Sequence, residues 1–380
     1  MPPSTQQVYL GPKSIQQLET VIASLPNTKV FLVTGKDSYR RSGAEQALTH
    51  LLRDKIITRF SDFATNPKIE DIHRGIELFR VTKPDIVIAV GGGSVIDIAK
   101  SINILSAHEE PAESYIQGRI PLIRGGLPFI AIPTTSGAGS EATHFAVVYV
   151  DHLKYSLAHP LMLPNIAIID AELTHTLSPA ITASTGIDAL CQAIESAWSV
   201  HSTPESTYWA HQAITHCLNS LELAVHSPSN EARMRMSEAA YLAGRAINVS
   251  KTTACHALSY PLTSRFGVSH GQAVALTLSG IFRHNSLVED RDVNDPRGVQ
   301  HVKDTMENLM RQLGTSSLEE TEAFITNFMK RLGLATNLRD LGIGPDHIEQ
   351  ILTEASLERL KNNPRALSPA QAKALFTSLL

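Results

Sequence analysis

The sequence predicts an α/β domain followed by an all-α domain, and three observations lead there. Over the first 178 residues, short aliphatic runs alternate with amphipathic helical patterns, which indicates βαβ units and a parallel sheet. From Ser178-Pro179 onward those runs stop, and helical periodicity continues to the end. At 380 residues the chain is also too long for one ordinary core. The expected domains are therefore 1–178 and 179–380.

The strands expected are Val30–Thr34, Ile56–Phe60, Asp85–Val90, Phe129–Ile132 and Ile166–Ile169. Between them, Ile69–Arg80 and Val95–Leu105 carry helical periodicity. The second half reads as the helices Gly186–Val200, Glu205–Val225, Asn230–Asn248, Thr253–Tyr260 and Gln272–Phe282, with more to the end. The polar run Glu289–Arg297 reads as a surface loop inside it.

Composition narrows the class of protein. With 43% hydrophobic and 18% charged residues the chain is of the soluble globular enzyme type. A net charge of −4 with interspersed signs leaves no footprint for nucleic acid. No apolar run approaches the roughly 20 residues that cross a bilayer, so no membrane partner is expected. The N-terminus has neither a basic n-region nor an apolar h-region. Cys191, Cys217 and Cys255 lack CxxC spacing, so a reducing cytoplasm is the expected setting. A homodimer or higher homo-oligomer is the base expectation for such a chain.

Two glycine-rich loops follow candidate strands. In DIVIAVGGGSVIDIAK, Gly91, Gly92 and Gly93 let backbone N–H groups approach a pyrophosphate, and the helix start beyond them favours its charge. Ser94 can cap that helix or bond a phosphate oxygen. The pattern is not GxGxxG, so a standard Rossmann fingerprint is excluded. In IPTTSGAGSEAT, the hydroxyls of Thr134, Thr135, Ser136 and Ser140 stand on a second glycine-rich backbone suited to ribose, nicotinamide and phosphate contacts.

Metal-type side chains arrive in two clusters. Asp188 and Gln192 stand four apart in a helical segment, hence on one face. His256 and His270 stand fourteen apart further on. Two imidazoles and a carboxylate suit Fe²⁺ or Zn²⁺, whereas the Gln192 amide oxygen is a weak donor for such ions.

These segments resemble the iron-containing, or group III metal-dependent, alcohol dehydrogenases. GGGSVIDIAK is similar to that family's GGGSxxDxAK, IPTTSGAGSEAT to its PTTxGTGSE, and GIDALCQAIE to its metal helix. CHALSYPLTSRFGVSHG is similar to its HAxxHxLG…PHG segment, and the likeness runs nearly end to end. The resemblance implies a Rossmann-like dinucleotide domain and a helical metal-binding domain, in a dehydroquinate-synthase-like architecture. It implies a divalent metal, Fe²⁺ first and Zn²⁺ next, held by Asp188, His256 and His270, with Gln192 where the family has histidine. It implies cofactor contacts from Asn66, Gly92, Gly93, Ser94, Asp97, Thr134, Thr135, Ser140 and Lys154. Tyr260 stands where another active-site histidine is usual, and is the candidate for the proton relay.

The adenosine end of the cofactor falls, by the same resemblance, at Val30-FLVTGKDSYRRSG. Members that prefer NAD often place an acid directly after this strand. Here Gly35 and Lys36 follow, with Ser38, Arg40 and Arg41 nearby, and this charge balance favours NADP(H) despite Asp37.

Before His256, Lys251, Thr252 and Thr253 cluster, and Arg245 stands six residues before Lys251. Hydroxyls and a lysine at a helix N-terminus can form an anion pocket, with Lys251 and Arg245 holding an anionic tail. The alternative is helix capping by Ser250 and Thr252 beside a solvated lysine. SKTTACHALSYPL with DALCQAIESAWSV is similar to the branch that interconverts phosphonoacetaldehyde and 2-hydroxyethylphosphonate. A small aldehyde or alcohol with a phosphonate, sulfonate or carboxylate group is then the expected substrate, reduced with NADP(H). Neutral aldehydes are the alternative. A dehydroquinate-synthase-like lyase is the rival of another class, usually with Glu where this chain has Asp188. A binding protein with a decayed metal site is a further rival, supported only by Gln192.

Overall fold

A computed structural model of the chain describes residues 6–23, 28–151, 153–355 and 360–380. It divides into two compact units, residues 1–177 and 178–380.

The first unit contains β1 (Gln7–Leu10), α1 (Gln17–Ile22), β2 (Lys29–Thr34), α2 (Ser38–Arg41), α3 (Ala44–Leu51), β3 (Ile56–Phe60) and α4 (Ile69–Thr82). It continues with β4 (Ile86–Gly91), α5 (Gly93–Leu105), α6 (Ala112–Ile116), β5 (Phe129–Pro133), β6 (Phe145–Val150), β7 (Leu153–Ala158) and β8 (Ile166–Ile169). Six strands form one parallel sheet in the order β1-β8-β5-β4-β2-β3. Strands β6 and β7 pair apart from it as an antiparallel hairpin.

The central strands read as near-continuous apolar runs because both faces of the sheet are covered. Phe31, Val33, Val87 and Ala89 enter one buried cluster, and their neighbours Val30, Leu32, Ile86, Ile88 and Val90 enter the opposite one. From β2 the chain steps out to β3, then returns to place β4 on the other side of β2. Strand order therefore reverses between β2 and β4, and the loops after these strands diverge there. In open parallel sheets this reversal, at the carboxyl ends, is where ligands bind.

The second unit is helical: α7 (Pro179–Trp198), α8 (Pro204–His226), α9 (Asn230–Ser250), α10 (Ala254–Phe266), α11 (His270–Ser286), α12 (Val299–Gln312), α13 (Leu318–Arg331), α14 (Ile348–Glu354) and α15 (Pro369–Ser378). Among its described residues no strand occurs. Helix α7 starts at Pro179, seven residues before the expected Gly186, because Ser178 accepts the Ile181 N–H and Pro179 suits the first helical position. It is buried almost all round, so it forms the axis on which the other helices pack. Gly186 permits this, since a Cβ there would meet Leu221 Cδ1 at 2.2 Å. Among the described residues, no helix is long and apolar enough to cross a membrane.

Candidate active site

In the sheet unit, most of the expected cofactor residues lie on loops or helix starts beyond the carboxyl ends of β2, β3, β4 and β5, whereas Asp97 lies within α5 and Lys154 on the hairpin strand β7. Strands β4 and β5 are neighbours, with Gly91 opposite Pro133, and Thr134 N donates to Gly91 O at 3.0 Å. The two glycine-rich loops therefore touch. A Cβ on Gly92 would lie 3.2 Å from Thr135 Oγ1, and one on Gly93 2.9 Å from the Ala138 side chain. Helix α5 opens at Gly93 with no acidic residue in its first turn and no side chain capping it, which leaves an N-terminus fit for a phosphate. Ser94 is half-buried in that first turn. Asn66 lies exposed on the loop after β3, which is tied to β6 by the Tyr149 N–H on Pro67 O at 2.9 Å.

Next to these loops lies a buried charge cluster in which the expected contact Asp97 is joined by Lys100 and Glu141, which sequence reading did not single out. Burial pushes the Asp97 carboxyl above its ordinary value, against the charges of Lys100 and Lys154 and the Val147 N–H, which donates to Asp97 Oδ2 at 2.9 Å. Lys100 Nζ donates to Thr143 Oγ1 and to Phe145 O, both at 2.9 Å. Burial pushes the Lys100 amine down to about 8 and the Glu141 carboxyl up to about 7. Helix α5 is thus bound through charged groups to the segment that carries Ser140.

At the end of β2, Gly35 has no acidic neighbour directly after the strand, and Lys36 faces Asp62 at 3.7 Å in the open. Ser38 begins α2, and Arg40 and Arg41 are exposed. Arg59, on the adjacent strand β3, was not expected here. Its Nε donates to Thr34 Oγ1 at 2.8 Å, and its terminal nitrogen to Gly35 O and Lys36 O at 3.2 and 3.3 Å. A guanidinium therefore stands on the loop read as the adenosine end.

In the helical unit, Asp188 comes from α7, His256 from the first turn of α10 and His270 from the first residue of α11. One donor atom from each lies within 4.8 Å of the others. Asp188 and His256 are buried and His270 is half-buried. His256 Nε2 stands 3.4 Å from Asp188 Oδ1. The Tyr260 ring stacks on His270 at 6.4 Å between centroids, and His256 meets His270 edge-on at 5.4 Å.

Glu195, two turns beyond Asp188 on α7, organises this site and was not identified from the sequence. One of its oxygens accepts from Thr253 N at 3.2 Å, Thr253 Oγ1 at 2.8 Å, Cys255 N at 2.8 Å and His256 N at 3.3 Å. The other is bonded to His256 Nδ1. Burial disfavours both charges, yet the attraction between the two groups outweighs it. The Glu195 carboxyl is held below its ordinary range and the His256 imidazole above. With Nδ1 engaged, Nε2 is the nitrogen turned toward Asp188. A carboxylate that fixes an imidazole in this way is the usual support of a metal-ligating histidine. The residues therefore fit a borderline divalent metal held by Asp188, His256 and His270.

Gly271 sets the distance between α11 and α7. A Cβ there would fall 1.9 Å from Ser184 O and 2.9 Å from Asp188 Cβ, so only glycine lets His270 reach this position. Cys191 and Cys255 are fully buried, and burial with nearby carboxylates pushes both thiols well above their ordinary value. They pack as neutral residues.

The expected anion pocket needs two corrections. The N-terminus of α10 is already filled, because the Glu195 carboxylate takes the Thr253, Cys255 and His256 N–H groups. Arg245 is drawn off to α8, where its guanidinium lies 3.7 Å over the Trp209 ring and 3.9 Å from Glu205. Capping of α10 by Ser250 is not found either. Ser250 Oγ turns to Ser196 and Ala246, and α10 has no side-chain bond from its own N-cap, Thr253. Lys251 remains, half-buried at the turn between α9 and α10, with φ 66° and ψ 170°. That backbone region is essentially confined to glycine, and a lysine held there stores strain of about 1–3 kcal/mol.

A chain with a pyrophosphate-type loop set in one unit and a borderline-metal donor set in the other is equipped as a metal-dependent dehydrogenase. The family model for iron-containing alcohol dehydrogenase matches residues 5–171, and that for the C-terminal part of the Fe-containing alcohol dehydrogenase family matches residues 182–380. The chain belongs to the iron-containing alcohol dehydrogenase family, whose members are oxidoreductases acting on alcohols and aldehydes. It is 35% identical over 297 residues to phosphonoacetaldehyde reductase of Streptomyces viridochromogenes, covering 76% of this chain and 74% of that protein. With long-chain-alcohol dehydrogenase 1 of Geobacillus thermodenitrificans it shares 30% identity over 378 residues, 97% of this chain and 93% of the relative. The crystal structure of sulfoacetaldehyde reductase from Bifidobacterium kashiwanohense in complex with NAD⁺ superposes with a TM-score of 0.86 at 28% identity. That match covers 98% of this chain and 96% of the other.

Proposed function

We propose that this alcohol/aldehyde dehydrogenase reduces a short anionic aldehyde, phosphonoacetaldehyde first among candidates, to the alcohol with NADPH. The observation that supports the reading is Lys251: a cation held in a strained backbone five residues before His256, in a chain with Gln192 and Tyr260 where the family usually has histidines. Strain of this kind persists where the surrounding structure over-determines it, and it concentrates at functional sites. Likeness to reductases named for phosphonoacetaldehyde and sulfoacetaldehyde supports the same class of substrate.

When bound, the metal supplies Lewis acidity at the carbonyl oxygen and the nicotinamide supplies the hydride. Asp188, His256 and His270 would hold the metal, with Glu195 fixing His256 as a donor through Nε2. The loop over Thr134–Ser140 would seat the nicotinamide side of the cofactor, and the α5 N-terminus its pyrophosphate. Tyr260, whose ring stacks on His270, would carry the alcohol's proton. Lys251 would bind the anionic group of the substrate. Gly35 without an acid, Lys36 and the anchored Arg59 favour the 2′-phosphate of NADP(H) by charge.

NADPH oxidation with phosphonoacetaldehyde, sulfoacetaldehyde, succinic semialdehyde and propanal tests the reading. The expected order places phosphonoacetaldehyde highest in kcat/KM, and a neutral aldehyde matching it overturns the anionic assignment. Stoichiometric consumption of NADPH separates the reductase from a lyase that would use the nucleotide only catalytically.

A further inference from the structure

Gln192 stands on the same face of α7 as Asp188, and its geometry is that of a partner to that carboxylate. Its Nε2 donates to Asp188 Oδ2 at 3.2 Å, with both side chains buried. A carboxylate accepts and cannot donate, so the amide must present nitrogen, not oxygen, to it. The two oxygens of Asp188 are thereby divided. Oδ2 is tied to Gln192, while Oδ1 is the atom 3.4 Å from His256 Nε2. We infer that Gln192 is a positioning residue: it orients Asp188 to bind metal through Oδ1 alone, and it is not a fourth donor. The inference rests on the metal reading given above.

The chemistry agrees with this division of labour. An amide oxygen is a poor donor for a borderline ion, whereas an amide N–H bonded to a ligating carboxylate is ordinary outer support. A centre with three protein donors also keeps positions open for substrate, as catalytic sites do. Exchange of histidine for glutamine at 192 thus converts a ligand position into one that holds a ligand in place.

The test uses the full-length protein, stripped of metal and checked by circular dichroism. Zn²⁺ affinity is measured by competition with a chromophoric chelator, and donor number is read from the visible bands of the Co²⁺ form. Gln192→Leu is expected to bind one equivalent with a dissociation constant weakened roughly tenfold. Its Co²⁺ band intensity should stay that of wild type. Gln192→His should bind more tightly with an altered Co²⁺ spectrum, and Asp188→Ala should lose binding. Gln192→Met, of similar length without the N–H, should repeat the leucine result. If either apolar variant loses metal as fully as Asp188→Ala, or changes the Co²⁺ band, the amide is a donor and the inference falls. Unchanged affinity in both overturns it too. A wild-type protein that takes up no metal overturns the metal reading itself, which is a separate result.

Discussion

Glu195 and His256 share one buried carboxylate–imidazole hydrogen bond that joins the core of α7 to the first turn of α10. The same carboxylate closes the open N–H groups of α10, so metal affinity and helix stability are linked through one side chain. Glu195→Gln keeps the shape and removes the charge. It is expected to weaken Zn²⁺ binding by roughly 10–100-fold. It should also lower the unfolding free energy by about 1–3 kcal/mol. Chelator competition and denaturant titration read the two effects separately.

Gly271→Ala would force a Cβ onto the Ser184 carbonyl, which is backbone and cannot rotate away. Helix α11 must then shift and carry His270 with it. The expected cost is about 1–3 kcal/mol or more in stability, typical of overpacking, together with reduced metal content of the purified protein. Thermal unfolding and elemental analysis measure these.

Lys251 combines strain with charge, and the two should separate on substitution. Lys251→Gly relieves a backbone that only glycine adopts readily. The variant should gain about 1–3 kcal/mol in stability. Its KM for the anionic aldehyde should rise roughly tenfold, the size of one charge-assisted hydrogen bond, while KM for propanal stays. Arg245→Ala, by contrast, should lose packing on Trp209 with no change in charge preference. Equal losses on both aldehydes for Lys251→Gly would remove the anion assignment.

Gly35→Asp places an acid directly after β2. The only crowding is with Ser38 Oγ, 2.0 Å from the new Cβ, and that hydroxyl can turn aside. The ratio of kcat/KM for NADPH over NADH should fall by at least about tenfold, since juxtaposed like charges cost several kcal/mol. A ratio that does not move would place the 2′-phosphate elsewhere.

The buried cluster next to the nucleotide loops predicts a stability minimum near neutral pH. Glu141 keeps its proton to about 7 when folded, against 4.5 ordinarily. Between those values the folded chain binds more protons, so stability falls as pH rises. Lys100 runs the other way: it sheds its proton at about 8 instead of 10.5, so its contribution rises with pH across that window. Glu141→Gln should shrink the acid limb by roughly 3 kcal/mol, leaving the share of Asp97, and should move the alkaline limb to lower pH because the charge that helps hold the Lys100 proton is gone. Urea titrations from pH 4 to 10 give both limbs.

Legibility in the sequence followed burial. Strands β2, β4 and β5 were visible because both faces of the sheet are covered, which makes them continuous apolar runs. Strand β1 escaped notice because it is four residues long and half exposed at a sheet edge. The β6–β7 hairpin turns at Asp151, with φ 48°, and so lacks the glycine that would have marked it. Asp188, His256 and His270 stood out by residue type and motif. Glu195 did not, because a buried glutamate is recognisable only by the N–H groups it serves, and those lie about sixty residues away on α10. Arg59 was hidden likewise: parallel pairing, not sequence distance, brings it to the Gly35 loop. Arg245 shows the converse, since nearness in sequence to Lys251 did not keep it there.

All three candidate metal donors lie within residues 188–270, and the two glycine-rich loops both precede residue 178. During synthesis a ribosome therefore adds every residue of the glycine-rich loops before the first of the three candidate donors. The centre is complete only once His270 has left the exit tunnel. Acquisition of a metal there would in this sense be a late step in the life of the chain, and a translation product interrupted between residues 188 and 256 would carry the glycine-rich loops with a single one of the three candidate donors.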